Sequence, residues 1–275
     1  MIGFYRHPAA ELAPFVETLW YFEAEAMPHA FERLLPDAAA GLIVDLDSES
    51  IRVHDGERLD LFEDVAGVLV FGPQSKPSAI ATDRPSRVVG AQFRVGAWHA
   101  LLGLPAGEGR DRNLSLEDLW GRDGRNLRER LLEAPSAWSM LGTLERALAE
   151  RLRAERRHPA VRYAVAALSR EERPARVGEL GEGMGLSTRR LLDLFEREVG
   201  LSPKLFSRLC RFQRAADRIW RGRGAPAEAS GWADMAADCG FADQSHLIRE
   251  FREFSGVTPA GYAARLGHHR NHIPL

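Results

Sequence analysis

One stretch of this chain is written twice. Leu191, Phe195, Gly200, Leu201, Ser202 and Pro203 return 56 positions later as Leu247, Phe251, Gly256, Val257, Thr258 and Pro259. In each copy a Leu and a Phe four residues apart share one face of a helix. Five residues on comes Gly, then an apolar residue, a hydroxyl residue and Pro. A Gly suits a helix end, and a hydroxyl residue followed by Pro suits the start of the next helix. One small unit used twice with a fixed spacer restricts the second half of the chain to an all-α arrangement.

Each copy is preceded by a second short segment. The first is Leu180-Gly181-Glu182-Gly183-Met184-Gly185-Leu186-Ser187, and the second is Met235-Ala236-Ala237-Asp238-Cys239-Gly240-Phe241-Ala242. Each reads as a short helix with an apolar residue, a very small one, then a Gly and an apolar plug. The small residue admits a crossing helix, and the Gly supplies a turn with positive φ. Two short helices crossing through such a turn form a helix-turn-helix, whose second helix enters the major groove of DNA. Helical hairpins with Gly turns also occur in ordinary all-α cores, so the duplication weighs more than either copy alone.

The spacer points the same way. After Ser202 and Pro203, Leu205, Leu209, Phe212, Ala216 and Ile219 form one apolar stripe. Arg208, Arg211, Arg214, Arg218 and Arg221 occupy the other side. A helix of about 17 residues is about 25 Å long, enough with its flanking loops to set two reading helices near one DNA turn apart, about 34 Å.

The net charge of −2 conceals a division. Residues 1–150 hold 15 Lys and Arg against 24 Asp and Glu, a balance of −9; the remainder hold 22 against 15, or +7. A basic half suits a polyanionic partner, although an Arg-rich composition alone would produce the same bias. Hydrophobic residues make up 45% and charged residues 28%, as in soluble globular proteins. No apolar run reaches the roughly 18 residues of a membrane span, and the N-terminus lacks a secretion-signal pattern. Cys210 and Cys239 form no CxxC pair, so neither a disulfide framework nor a zinc knuckle is expected, and a cytoplasmic setting is.

The first ~95 residues read as short strands: Thr18–Glu23, Gly41–Asp47, Ile51–His54, Val65–Phe71, Ser78–Thr82 and Val88–Val95. Turn signals such as Asp55-Gly56 and Gly72-Pro73 separate them, which favours a sandwich or barrel. Helical segments follow at Trp98–Leu104, Leu116–Trp120 and Ser136–Arg156. The last carries Trp138, Leu141, Leu144, Leu148 and Leu152 at helical spacing; it either packs on the β domain or forms a dimer seam. The Arg156-Arg157-His158-Pro159 stretch marks the domain junction. Beyond it helices are expected at Ala160–Ser169, Val177–Met184, Ser187–Gly200, Pro203–Arg221, Trp232–Cys239, Asp243–Ser255 and Pro259–Leu266, with Pro174, Pro203, Pro226 and Pro259 at or before starts.

From Ala236 to Pro259, with Tyr262 after it, the second unit resembles the AraC-type transcription regulators. The resemblance extends over roughly Ala160–Leu266. It implies a DNA-binding domain of two helix-turn-helix units joined by a long helix. The β-rich part more loosely resembles cupin-like effector domains, of an uncharacterised subgroup, from Leu34-Leu35-Pro36-Asp37 to Leu119-Trp120-Gly121. The expected fold is therefore α+β multidomain: residues 1–157 a β-rich sensing or dimerising domain with appended helices, 158–268 the DNA-binding domain, and 269–275 a polar tail. The resemblance further implies a homodimer, a double-stranded DNA operator, a small-molecule effector and contact with RNA polymerase.

Ser187, Thr188, Arg189 and Arg190 are the expected DNA contacts of the first unit, and Gln244, Ser245, His246 and Arg249 of the second. Arg208 and Arg211 would meet phosphate. Asp193 departs from the family, because a carboxylate repels phosphate. For His246 a hydrogen bond within the domain is an equal alternative. Asp243 is the expected helix cap, and Leu191, Phe195, Leu247, Phe251, Phe254 and Trp232 the expected core. Trp20, Phe22, Phe71 and Phe93 are candidates to line an effector pocket, though each also suits a core. Enzyme signatures are poor. A metal cupin needs a His-x-His pair with a Glu and another His, whereas His29, His54 and His99 stand apart; no cofactor or metal is expected. His268, His269 and His272 are assigned to the tail.

Overall fold

Short alternating strands give way to helices along the chain, as a computed structural model describing residues 2–153, 157–170, 177–222 and 229–275 shows. The N-terminal part runs β1 (Ile2–Arg6), β2 (Val16–Ala24), β3 (Phe31–Leu34), β4 (Gly41–Asp45), β5 (Ser50–Asp55), β6 (Phe62–Ala66), β7 (Val68–Phe71), β8 (Ser78–Ala81) and β9 (Ser86–Phe93). It continues through α1 (Trp98–Leu102), α2 (Ala106–Gly109), β10 (Asn113–Ser115), α3 (Leu116–Trp120), α4 (Arg122–Leu132) and α5 (Ala137–Arg151). Then follow α6 (Pro159–Ser169), α7 (Val177–Glu182), α8 (Thr188–Val199), α9 (Pro203–Arg221), α10 (Ala229–Asp238), α11 (Gln244–Ser255), α12 (Pro259–Ala263) and β11 (His272–Pro274). Pro174 and Pro226, expected before helix starts, and Arg156 of the junction lie outside the described residues.

The strands form two antiparallel sheets, ordered β1-β2-β9-β4-β7-β10 and β11-β3-β8-β5-β6. Opposed residues of an antiparallel pair share a face, so register separates the two faces of the first sheet. Leu19, Leu42, Val44, Val70, Val89, Ala91 and Phe93 line one face and join Trp98, Leu127, Leu141, Leu144 and Leu148 in a single buried core. Ile43, Leu69 and Phe71 line the other, where Leu69 and Phe71 meet Val53 of β5 and Val65 of β6. The product is a β-sandwich with helices on one face, the α+β arrangement expected.

The stripe on α5 is consumed by this core. Leu141, Leu144 and Leu148 are fully buried, each stabilising by roughly 1.5–3 kcal/mol, so α5 packs on the β domain. Trp138, 53% exposed, stays at the margin with its ring 6.0 Å from that of Phe4. The expected strand Val65–Phe71 is two strands instead. It breaks at Gly67 (φ 73°), which sends β6 into one sheet and β7 into the other.

A second core joins the helices after residue 158. Leu191 and Phe195 of α8, Leu209 and Phe212 of α9, and Leu247, Phe251 and Phe254 of α11 are buried in it, with Trp232 packed against its edge. Cys239 belongs to this core too. Burial pushes the neighbouring Cys210 thiol up to about 11, so it is a neutral filler near pH 7. Leu35 and Ala38 of the β domain and Ile273 of β11 complete the same cluster. The stretch expected as a polar tail after residue 268 thus ends in a strand, because Ile273 is wholly buried and its neighbours pair with β3.

Candidate nucleic-acid interface

Both repeated units fold as a short helix, a tight turn and a longer helix. The turns contain Gly185 at φ 68° and Gly240 at φ 82°, the left-handed region that suits glycine. A Cβ on Gly181 would lie 2.9 Å from the Leu186 carbonyl oxygen. Ala236 holds the equivalent place, fully buried. The small residue in each first helix therefore permits the close crossing.

Each second helix is started by a side-chain cap. Ser187 Oγ accepts from the Arg190 N–H at 3.3 Å, and Asp243 Oδ1 accepts from the His246 N–H at 2.7 Å. Such a cap stabilises a helix by about 1 kcal/mol. In α8, Leu191, Leu194, Phe195 and Val199 are buried, while Thr188, Arg189, Arg190 and Asp193 stand in solvent. In α11, Leu247, Glu250, Phe251 and Phe254 are buried, Ser245 and Arg249 are exposed, and Gln244 is half-buried. A shallow recess along α11 is lined by Ser245, Ile248, Arg249, Arg252 and Glu253.

His246 is occupied within the domain. Its Nδ1 accepts from the Ala242 N–H at 3.2 Å, its Nε2 lies 3.3 Å from Glu250, and its ring meets Phe241 edge-on at 5.5 Å. The internal alternative is the one the geometry favours.

Arg208 and Arg211 do not stand free either. Arg208 donates to Glu250 at 2.7 Å and to Glu253 at 2.6 Å, and Arg211 reaches Glu250 at 3.4 Å. Both guanidinium groups, expected over phosphate, are turned to the carboxylates of α11 here. The remaining arginines of α9 are partnered as well. Arg214 donates to the carbonyls of Ser169 and Cys239, Arg218 pairs with Asp238, and Arg221 pairs with Asp217. The basic stripe is largely the adhesive of the domain.

Burial alone would raise the Glu250 carboxyl, but Arg208 and Arg211 outweigh it and hold it below the usual carboxylate range. A carboxyl lowered in the folded state contributes stability that is fully present above its unfolded value, about 4.3, and lost as pH falls through the folded one. The melting temperature of the helical domain is therefore expected to respond to this group only below about pH 4.3, and Glu250→Gln to flatten that acid limb in thermal unfolding.

The four pocket candidates of the β domain do not converge. Trp20, Phe22 and Phe71 are half-buried on the face between the sheets, whereas Phe93 is fully buried on the opposite face beneath α1. Gly90 and Gly41 leave room for the rings of Trp20 and Phe71 across the strands. Among the described residues, no group of three His, Cys, Asp or Glu side chains is arranged to hold a metal ion. No described helix is long and apolar enough to cross a membrane.

Sequence reading missed the residues that join the two domains. Arg33 of β3 donates to the Ser255 carbonyl at the C-terminal end of α11, at 3.0 Å, and Glu32 receives His272 from β11 at 2.6 Å. Phe31–Leu34 is only four residues long, and its partners in α11 and β11 lie more than 200 positions away. The buried carboxylate at Glu32 leaves no periodic signal.

Two family descriptions match the chain: a domain of unknown function over residues 5–115 and a helix-turn-helix domain over residues 180–265. A comparison with curated proteins finds no match. Among solved structures, the chain is similar to ToxT from Vibrio cholerae at 12% identity, over 90% of this chain and 97% of that one, with a TM-score of 0.46. It is also similar to a probable AraC family transcriptional regulator from Rhodopseudomonas palustris CGA009 at 27% identity, over 39% of this chain and 96% of that one, with a TM-score of 0.33. The paired units at residues 180–265 thus match a helix-turn-helix domain, set behind a stretch that matches a domain of unknown function.

Proposed function

We propose that this chain is a transcription regulator that binds a specific double-stranded DNA site by placing the N-terminal turns of α8 and α11 in successive major-groove segments. One observation carries this reading. Each helix buries one face in the core and leaves the other in solvent, with Thr188, Arg189 and Arg190 exposed in the capped first turn of α8, and Ser245 and Arg249 exposed along α11 beside a half-buried Gln244. Thr188, Arg189 and Arg190 in one helix and Gln244, Ser245 and Arg249 in the other then face base edges and phosphates, where Gln suits adenine and Arg suits guanine. Helix N-termini also favour phosphate.

The test is selection of a bound site from a random DNA library, followed by footprinting. Gln244→Ala and Arg249→Ala are each expected to cost about 1–3 kcal/mol at that site and to relax the preference at one position. Arg265→Ala, at an exposed position of no assigned role, is the control. Equal footprints for all three variants would sink the assignment.

In this reading the protein acts in the cytoplasm as a homodimer that contacts RNA polymerase, and the β domain holds a small-molecule effector. The half-buried rings of Trp20, Phe22 and Phe71 between the two sheets support the last point. A ligand that binds only the folded state raises apparent stability, so one compound in a metabolite library should raise the melting temperature. A shift abolished by Trp20→Ala would place it between the sheets. No shift from any compound would favour a β domain that only dimerises.

A further inference from the structure

The β domain grips the helical domain at the C-terminal ends of α8 and α11. Arg33 donates through one guanidinium nitrogen to the Ser255 carbonyl of α11 and through another to the Gly56 carbonyl of its own domain, at 3.0 and 2.9 Å. At the end of α8, Gly200 packs so closely that a Cβ there would lie 2.7 Å from the Ala106 carbonyl oxygen. The junction itself is fixed on both sides: the Arg157 guanidinium reaches the Val95 and Pro14 carbonyls of the β domain, and the adjacent His158 N–H donates to Glu198 of α8. Between the two reading helices, Gln213 of α9 donates to the Pro36 carbonyl at 2.6 Å.

The grip is closed by β11, which enters after the last helix of the DNA-binding domain and becomes the edge strand beside β3. Leu35 donates to the Asn271 carbonyl at 2.8 Å and Leu275 to the Phe31 carbonyl at 3.0 Å. Glu32, 4% exposed, sits between His29 at 3.0 Å and His272 at 2.6 Å. Ile273 is buried in the helical core beside Leu35. Upstream, the Tyr262 hydroxyl donates to the Arg270 carbonyl at 2.5 Å, which fixes the approach to the strand.

We propose that residues 31–38 and β11 form an interdomain clasp on α11 and α9 which, together with the seat of Gly200 against Ala106, sets the spacing of α8 and α11 from their C-terminal ends, preorganising them for DNA while leaving the reading turns uncovered. The inference rests on the DNA-binding reading above. A three-residue strand opens far more readily than a core, so the clasp is the element through which a change in the β domain reaches both helices. Closed, it holds two reading units in one geometry, which lowers the ordering cost of binding. Open, it leaves them joined through α9 and the shared helical core, with only α8 still seated on the β domain at Gly200.

The test uses the full chain and two kinds of variant. Ile273→Asp sets a charge where the clasp is buried. Leu34→Cys with His272→Cys places a closable bond across the strands, because these residues are directly opposed at a position between the hydrogen-bonded pairs, where side chains come closest. Expected for Ile273→Asp, and for the double variant when reduced, is faster amide exchange near Ser255 and Gly200 together with about tenfold weaker binding of the selected DNA, in the usual range of coupling between sites. Base preference should not change. Oxidising the double variant should restore both slow exchange and affinity. Unchanged affinity, or tighter binding on opening, overturns the proposal; so does faster exchange confined to β3 and β11. If no DNA site can be selected at all, the functional reading fails, while the exchange at Ser255 and Gly200 still decides whether the clasp couples the domains.

Discussion

Phe212→Ala is expected to destabilise the helical domain by about 3–5 kcal/mol, the usual cost of emptying a buried aromatic site. Phe212 lies at the middle of α9, fully buried, with its ring 5.0 Å from Phe251 and 5.2 Å from Phe254 of α11. Its removal opens a cavity under the helix that carries Gln244 and Arg249. Denaturant unfolding followed by near-ultraviolet circular dichroism would measure the loss. The core beneath α5 shares no residue with this cluster, so the β domain should retain its own transition. A loss below about 1 kcal/mol would mean that the site collapses without cost, contrary to the ring packing.

The second large effect is expected at Gly200. Gly200→Ala puts a side chain at φ 81°, which costs about 1–2 kcal/mol, and drives its Cβ to 2.7 Å from the Ala106 carbonyl oxygen and 3.1 Å from Pro73. That carbonyl is backbone, so it cannot rotate aside; overpacking adds about 1–3 kcal/mol. Gly185→Ala provides the comparison, since its φ of 68° is similar but nothing lies within 4 Å. Chemical denaturation of the two variants should show Gly200→Ala to be the worse by at least 1 kcal/mol. Equal losses would show that the domains do not press together at this point.

What could be read from the sequence was what is encoded locally. Ser187 and Asp243 lie within three residues of the N–H groups they cap, and the strands β2, β4 and β9 alternate along their own length. The repeat exposed the packing skeleton because Leu191 and Phe195 are one turn apart, as are Leu247 and Phe251. Contacts made over long separations left no such trace. The arginines of α9 read as a free basic face, since the carboxylates that meet Arg208 belong to a helix some 40 positions downstream. His246 could be weighed but not resolved, because its Glu250 partner lies one turn on along the same helix and only folding turns both toward Arg208 and Arg211. Phe93 looked like Phe22 in composition, yet strand register places the two on opposite faces. The run Val65–Phe71 has continuous apolar character, and only the change of sheet at Gly67 divides it.

The position of β11 has a consequence for biosynthesis. On the ribosome, β3 and its sheet emerge some 240 residues before the strand that covers their edge. Until then β3 presents unpaired N–H and C=O groups beside a buried-type carboxylate, the kind of open edge that invites pairing with other chains. The β domain of a nascent chain thus remains unsealed while the DNA-binding domain is being made, and the sheet is closed by a segment that arrives after both helix-turn-helix units. Assembly is therefore ordered in time, with completion of the first domain signalling that the second is present.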